Sequence, residues 1–165
     1  MPELKDMDNV HLEAAEGWLG LGLPLDALEE LEKISHARRA LPDFLHVRYE
    51  ICAASKQWES AAEVAKELCR ISPDAPSGFI QLAYSLHELR RTTEALNALL
   101  TVADRFPDVP TISYNLACYH CQLGDLPAAS KCLKRALKLG GAANIKKMAL
   151  GDLDLKPLWE SISNL

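Results

Sequence analysis

The chain has 165 residues, of which 48% are hydrophobic and 25% are charged, and this composition predicts one compact domain or one short repeat array. Its net charge of −5 argues against a general nucleic-acid-binding protein, which would carry a basic face. No apolar run approaches the roughly 20 residues that span a membrane, and the charged amino terminus lacks the apolar segment of a secretory signal. The five cysteines all lie in helical patterns, which favours reduced thiols in a cytoplasmic protein.

The hydrophobic pattern repeats every 34 residues, and the two best copies lie between Pro76 and Gly141. Ala83 and Ala95, for example, have Ala117 and Ala129 as their counterparts. A period of this length is typical of a helical repeat array. The same register extends backwards and predicts four repeats, at about 8–41, 42–75, 76–109 and 110–143, within a single domain covering 1–165.

Each repeat is predicted to form two helices, and the short turn between them makes the two helices antiparallel neighbours. Prolines open the first helix of repeats two, three and four, because a proline at the first helical position costs no hydrogen bond. The predicted first helices are Asp8–Leu21, Pro42–Ser55 and the two that begin at Pro76 and Pro110. The predicted second helices are Leu25–Ala40, Trp58–Ile71, Thr92–Phe106 and Leu126–Leu139.

The pattern changes after Gly141. Asn144–Leu150 is predicted to be a short helix, and Leu155–Asn164 a terminal amphipathic helix. Three apolar residues of the terminal helix, Leu158, Trp159 and Ile162, are expected to cover the apolar face of the last repeat. Such arrays need a cap of this kind because the end repeat otherwise exposes its core. Residues 144–165 are therefore predicted to be a C-terminal cap.

The repeated residues resemble those of the tetratricopeptide repeat (TPR) family over about residues 8–143. The resemblance is carried by Leu82, Ala83, Ala95, Pro107 and their echoes, and by Tyr114-Asn115-Leu116-Ala117 followed by Gly124-Asp125. Repeats one and two depart from the pattern at Arg39 and Tyr49. The resemblance implies an all-α fold, a right-handed α-solenoid of four antiparallel helix-pair repeats with C-terminal capping helices. It also implies a non-enzymatic module that binds a peptide or protein segment in a concave groove, as an adaptor, scaffold or chaperone-like protein.

The family pattern assigns certain positions of each first helix to this groove. Carried over residue by residue, the predicted partner-binding residues are His46, Glu50, Ile80, Tyr84, His87, Tyr114, Asn115, Cys118 and Gln122. Tyrosine offers a large contact area at a modest entropy cost. Carboxylates in the amino-terminal half favour a neutral or basic partner segment and argue against a groove that captures a carboxylate-ended tail. Neither nucleic acid nor a membrane is an expected partner.

Three alternatives stay open at this stage. Cys118 and Cys121 share one helix face, and His87 occupies the position equivalent to Cys121 in the preceding repeat, so the three resemble half of a zinc site or a redox pair. A fourth ligand is missing, and the pair lies far from the helix amino terminus that lowers a thiol pKa, so no metal and no cofactor are predicted.

The chain is alternatively a self-associating structural protein of undetermined oligomeric state, or its tail fills its own groove. The sequence contains no GxGxxG or GxxxxGK(S/T) phosphate-binding motif and no HExxH or GxSxG hydrolase motif, so no catalytic residue is assigned.

Overall fold

The structure is a computed structural model that describes residues 4–163, with side chains described from Met7 onwards. Within this range the chain forms ten α-helices and two 3-10 helices and no strand, so the predicted all-α fold is confirmed. None of the described helices combines the length and the hydropathy that a bilayer crossing requires. The chain divides into two compact units, Met1–Ser85 and Leu86–Leu165. The number of repeats and the hand of a solenoid stay predictions.

The helices follow one another with short connections. The helices that begin in the first unit are α1 (Leu4–Gly20), α2 (Pro24–Glu32), α3 (Pro42–Ala54), α4 (Trp58–Ile71) and α5 (Pro76–Glu88). The second unit contains the end of α5, followed by α6 (Thr92–Leu100), α7 (Pro110–Gln122), α8 (Leu126–Gly140), α9 (Ala142–Gly151) and α10 (Trp159–Ser163). The two 3-10 helices are His36–Arg38 and Leu153–Leu158.

The turns that end α1, α3, α5 and α7 share one geometry. Their central residues, Gly22, Lys56, Arg90 and Gly124, lie 34 positions apart and have φ angles of 75°, 54°, 63° and 84°. In each turn the N–H of this residue donates to the carbonyl three positions back, and the next N–H donates to the carbonyl five positions back, at 2.8–3.1 Å. This pair of bonds is the Schellman motif, which uses one left-handed residue to satisfy the last carbonyls of a helix.

Small residues bring the helices of the first unit close together. Ala15, Ala27 and Ala61 are fully buried, and Leu31 and Leu68 fill the space beside them. Tyr49, the large residue that departs from the TPR pattern in repeat two, is accommodated by polar contacts. The Tyr49 hydroxyl donates to the Gln81 carbonyl at 3.2 Å and lies 3.3 Å from the Ser85 hydroxyl. These contacts connect α3 to α5.

The core of the second unit forms around α7, which packs against α6, α8 and the 3-10 helix Leu153–Leu158. Three apolar residues of the carboxy-terminal region, Leu155, Leu158 and Ile162, are buried there. The Trp159 indole N–H donates to the carbonyls of Ala149 and Asp152, at 3.0 and 3.2 Å. The carboxy-terminal segment is therefore an integral part of this unit.

Three predicted helices are shorter in the structure, whereas the helices predicted over Asp8–Leu21 and Asn144–Leu150 begin earlier, at Leu4 and Ala142. The helix predicted over Leu25–Ala40 ends at Glu32, because Ser35 turns away and donates its backbone N–H to the Asp8 carboxylate. The helix predicted over Thr92–Phe106 ends at Leu100, and bonds to carbonyls three or four residues back continue it as turns towards Pro107. A proline disfavours helix at the residue before it.

The terminal helix is shorter than predicted. Its first part is the 3-10 helix Leu153–Leu158, which carries Pro157 inside it, and α-helix begins at Trp159. A proline lacks the N–H that a regular helix interior needs. The predicted end of this helix, Asn164, lies outside the described residues.

Candidate partner-binding site

Four of the predicted partner-binding residues lie in the first unit, on α3 and α5. His46 and Glu50 are one turn apart on α3, and Ile80 and Tyr84 are one turn apart on α5, so each pair shares a face of its helix. Glu50 is exposed, His46 and Ile80 are half-buried, and 43% of Tyr84 is exposed. The ring of Tyr84 packs edge-on against Trp58, with 5.6 Å between the ring centroids and 82° between the planes. This contact orients an aromatic side chain that still offers nearly half its surface to a ligand.

The other five predicted residues lie in the second unit. Tyr114, Cys118 and Gln122 follow one another at intervals of four residues on α7, so they form one stripe along the helix. Asn115 lies beside them and is half-buried, and His87 comes from the last turn of α5. The structure brings four of these five into contact with the chain's own segment Asp152–Asp154. We call this segment together with Leu155 the tail segment.

Side chains of the predicted site hydrogen-bond the tail segment at four points. The Tyr114 hydroxyl donates to Asp152 Oδ2 at 2.8 Å, and Cys118 Sγ lies 3.6 Å from the same oxygen. The Gln122 amide donates to the backbone carbonyl of Asp154 at 3.1 Å. His87 Nε2 lies 2.8 Å from Asp154 Oδ2. Both carboxylates of the segment are thus bound by groups that the sequence assigned to partner recognition.

The tail segment has a defined shape of its own. Asp152 Oδ1 accepts the backbone N–H of Asp154 at 3.0 Å, and the Asp152 carbonyl accepts the N–H of Leu155 at 3.1 Å. This side-chain-to-backbone turn is one that aspartate forms readily. Leu155 is fully buried, whereas 73% of Leu153 is exposed. The segment therefore presents two carboxylates and one leucine to the unit and turns the intervening leucine to solvent.

His87 is held in place on three sides. Its Nδ1 lies 3.0 Å from the Thr92 hydroxyl, opposite the Nε2 contact with Asp154. Its ring also packs on Tyr119, with centroids 4.9 Å apart. An imidazole engaged at both nitrogens is a positioned hydrogen-bonding group and leaves no nitrogen free for a metal ion.

The electrostatics of the site follow from burial and from the two carboxylates. Burial raises the pKa of the Cys118 thiol, and the nearby charges of Asp152 and Asp154 raise it further. Burial raises the pKa of Tyr114, and its hydrogen bond to Asp152 acts in the same direction. Helix α7 contains no Lys, Arg, Asp or Glu. Its contacts with the carboxylates are therefore made by uncharged groups that stay protonated at neutral pH.

The geometry does not favour the metal or redox alternative. Among the described residues there is no group of three His, Cys, Asp or Glu side chains that could hold a metal ion. Burial also raises the pKa of Cys121, so both thiols of the pair lack the thiolate character that redox chemistry requires. The arrangement of Cys118, Cys121 and His87 is suited to packing and hydrogen bonding.

Asp152 and Asp154 are not among the site residues that the sequence predicts. One signal was available: residues 126–151 contain six basic and no acidic residues, and the two aspartates then appear on alternate positions directly after Gly151. The pattern marks the segment as distinct but does not identify the surface on which it lies.

Comparison with known proteins supports the repeat architecture. No protein-family model matches the chain, and no curated protein matches it in sequence. A thermophilic TPR protein from Thermus thermophilus is similar in structure, with a TM-score of 0.71 and 20% identity over 96% of this chain and 100% of that one. The fold is that of a TPR-like repeat protein. MamA from Desulfovibrio magneticus RS-1, from its residue 41 to its end, gives a TM-score of 0.72 with 17% identity over 96% of this chain and 93% of that one. Another crystal structure of MamA gives 0.72 with 14% identity over 83% and 80%. At these identities the likeness establishes the TPR-like fold alone.

Proposed function

We propose that the chain is a non-enzymatic protein–protein interaction module, an adaptor, scaffold or chaperone-like protein that binds a peptide or protein segment on the predicted helix faces. One observation carries the proposal. The stripe on α7 already binds a peptide segment, the chain's own tail segment, through side chains of Tyr114, Cys118 and Gln122 on successive turns. A TPR-like fold is consistent with such a role, because helix-pair arrays provide extended binding surfaces.

The charge distribution supports a neutral or basic segment for the face in the first unit. Fifteen of the 23 acidic residues lie within residues 1–85, which contain only eight of the 18 Lys and Arg residues. Glu50 and Tyr84 are exposed on this face. An exposed carboxylate beside a large aromatic surface complements a segment that carries a basic and an apolar side chain.

Quantitative capture experiments test this function. The chain, attached to a resin, is expected to retain a defined set of proteins, and the Tyr84→Ala/Tyr114→Ala variant is expected to lose them at least tenfold, as measured by mass spectrometry. A captured protein is then purified and its affinity measured by calorimetry. Truncating a central aromatic contact typically costs about 2 kcal/mol or more, which corresponds to a loss of this size.

The matched control replaces exposed side chains on two second helices, Glu59→Ala and Leu100→Ala. This variant should bind like the parent chain, and far-UV circular dichroism should be the same for all three proteins. Equal capture by the parent chain and the tyrosine variant would contradict binding at these faces.

A second candidate function, self-association, is favoured by one surface feature. Leu21, Leu23 and Leu25, in and after the turn that follows α1, are 71%, 43% and 72% exposed. The corresponding residues 34 positions later are polar, namely Ser55, Gln57 and Glu59. Clustered exposed leucines in a turn that is polar in the next copy indicate a surface that another protein covers. A second copy of the chain is the simplest such protein.

Sedimentation velocity across a range of concentrations tests self-association. The average mass of the parent chain is expected to rise with concentration. The Leu23→Gln/Leu25→Glu variant, which copies the residues of the next turn, is expected to remain a monomer. Leu100→Gln removes a similarly exposed leucine elsewhere and should behave like the parent. A parent chain that remains monomeric at the highest concentration excludes this candidate.

A further inference from the structure

We propose that the α7 face binds acidic segments of the form Asp-x-Asp-Leu in partner proteins, and that the tail segment occupies this site until such a segment displaces it. The proposal rests on the interaction function proposed above and names the chemistry of one partner segment. That segment differs in charge from the one expected on the face of the first unit.

The hydrogen-bonding groups of the site define this chemistry. Tyr114, Cys118 and Gln122 each direct a donor hydrogen at the tail segment, and His87 contributes a ring nitrogen. A carboxylate is a pure acceptor with two oxygens, so it suits a surface built from donors. Helix α7 contains no carboxylate that could pair with lysine or arginine. A basic segment would therefore leave the Tyr114 and Cys118 donors unsatisfied, whereas an acidic segment uses them.

The spacing of the contacts defines the sequence of the segment. The carboxylate of Asp152 lies at Tyr114 and Cys118, and the carboxylate of Asp154 lies at His87, so the two carboxylates are bound at positions i and i+2. Gln122 binds the backbone carbonyl of Asp154. Leu153, between the two aspartates, is mostly exposed, so the site does not select the residue at this position. Leu155 enters the core and adds an apolar requirement directly after the second aspartate. The turn made by Asp152 and Asp154 fixes the backbone between the two carboxylates.

The covalent connection of the tail segment to the chain opposes its displacement by a partner segment. A segment joined to its own site has an effective concentration in the millimolar range, so a free peptide of the same sequence competes poorly with it. Weakening the tail segment removes this advantage without changing α7. The site should therefore be partly closed in the parent chain and open in a variant whose tail segment has lost its carboxylates.

Fluorescence anisotropy with a labelled peptide tests the proposal. The probe is a synthetic peptide that copies residues 151–163, and the matched control peptide carries Asp152→Asn and Asp154→Asn. The receptors are the full-length parent chain and the full-length Asp152→Asn/Asp154→Asn variant, which retains Leu155 and the apolar cap. We expect the probe to bind the variant at least tenfold more tightly than it binds the parent. The control peptide should bind the variant at least tenfold more weakly than the probe does.

A second variant keeps the test decisive if the double asparagine variant is unfolded by circular dichroism. Tyr114→Phe removes only the hydroxyl that binds Asp152, and in the parent chain it should loosen the tail segment, observed as increased amide hydrogen exchange at 152–155. Equal binding of both peptides, no binding to the folded variant, or unchanged exchange in Tyr114→Phe would overturn the proposal. The peptide experiment tests only the α7 face, whereas the capture experiment tests whether the chain retains any partner protein, so a failed peptide experiment and a failed interaction function are distinguishable.

Discussion

Gly78 lies where α5 approaches α4 too closely for a side chain. A Cβ atom at this position would lie 2.9 Å from the backbone nitrogen of Cys69 and 3.1 Å from the carbonyl carbon of Leu68. Both are backbone atoms within a packed helix, so they cannot rotate away as the end of a flexible side chain could. The close approach depends on the absence of a side chain at this residue.

Substituting Gly78→Ala is therefore expected to lower the free energy of unfolding by about 1–3 kcal/mol, as measured by urea denaturation. Helix propensity alone predicts the opposite sign, since alanine favours a helix by about 1 kcal/mol over glycine. Gly17→Ala is the matched control, because a Cβ there meets no atom within 4 Å, and it should leave stability unchanged or raise it. A stabilised Gly78→Ala protein would show that α4 and α5 are not in close contact.

The four helix-ending turns are alike in geometry but not in sequence. They share one hydrogen-bonding pattern and one left-handed residue, but only two of the four carry glycine there. Lys56 and Arg90 adopt the same conformation with a side chain, which costs about 1–2 kcal/mol for an ordinary residue. The turn geometry thus does not require glycine.

Substituting Arg90→Gly is expected to raise the free energy of unfolding by about 1 kcal/mol, because glycine adopts positive φ angles without steric cost. The reverse experiment, Gly124→Ala, should lower it by a similar amount. Both are measured by urea denaturation at one pH, with circular dichroism as the signal. A destabilised Arg90→Gly protein would mean that the arginine side chain contributes more than its backbone conformation costs.

The acidic charge is concentrated in residues 1–85, whereas residues 86–165 contain ten of the 18 basic residues. The one acidic segment that follows α8 and α9, Asp152–Asp154, lies against the uncharged face of α7. The two units therefore offer surfaces of different chemistry. If both bind partner segments, they should select segments of different charge.

The sequence by itself determined the helices and most of their ends. The 34-residue register, the prolines at Pro42, Pro76 and Pro110 and the turn residues depend on contacts within a few positions, which a local pattern encodes. It failed where a distant residue ends a helix, as Asp8 does by accepting the N–H of Ser35. The family pattern also led to the residues of the α7 stripe, because helical spacing fixes which side chains share a face.

Only the tertiary structure decided what lies on that stripe. Tyr114 and Asp152 are 38 residues apart, and His87 and Asp154 are 67 apart, so no local periodicity relates them. Their meeting depends on Leu155 entering the core of the second unit, which fixes the path of the preceding residues. The sequence thus predicted a binding face, whereas the packing of the chain supplied an acidic occupant that the sequence left as one of several alternatives.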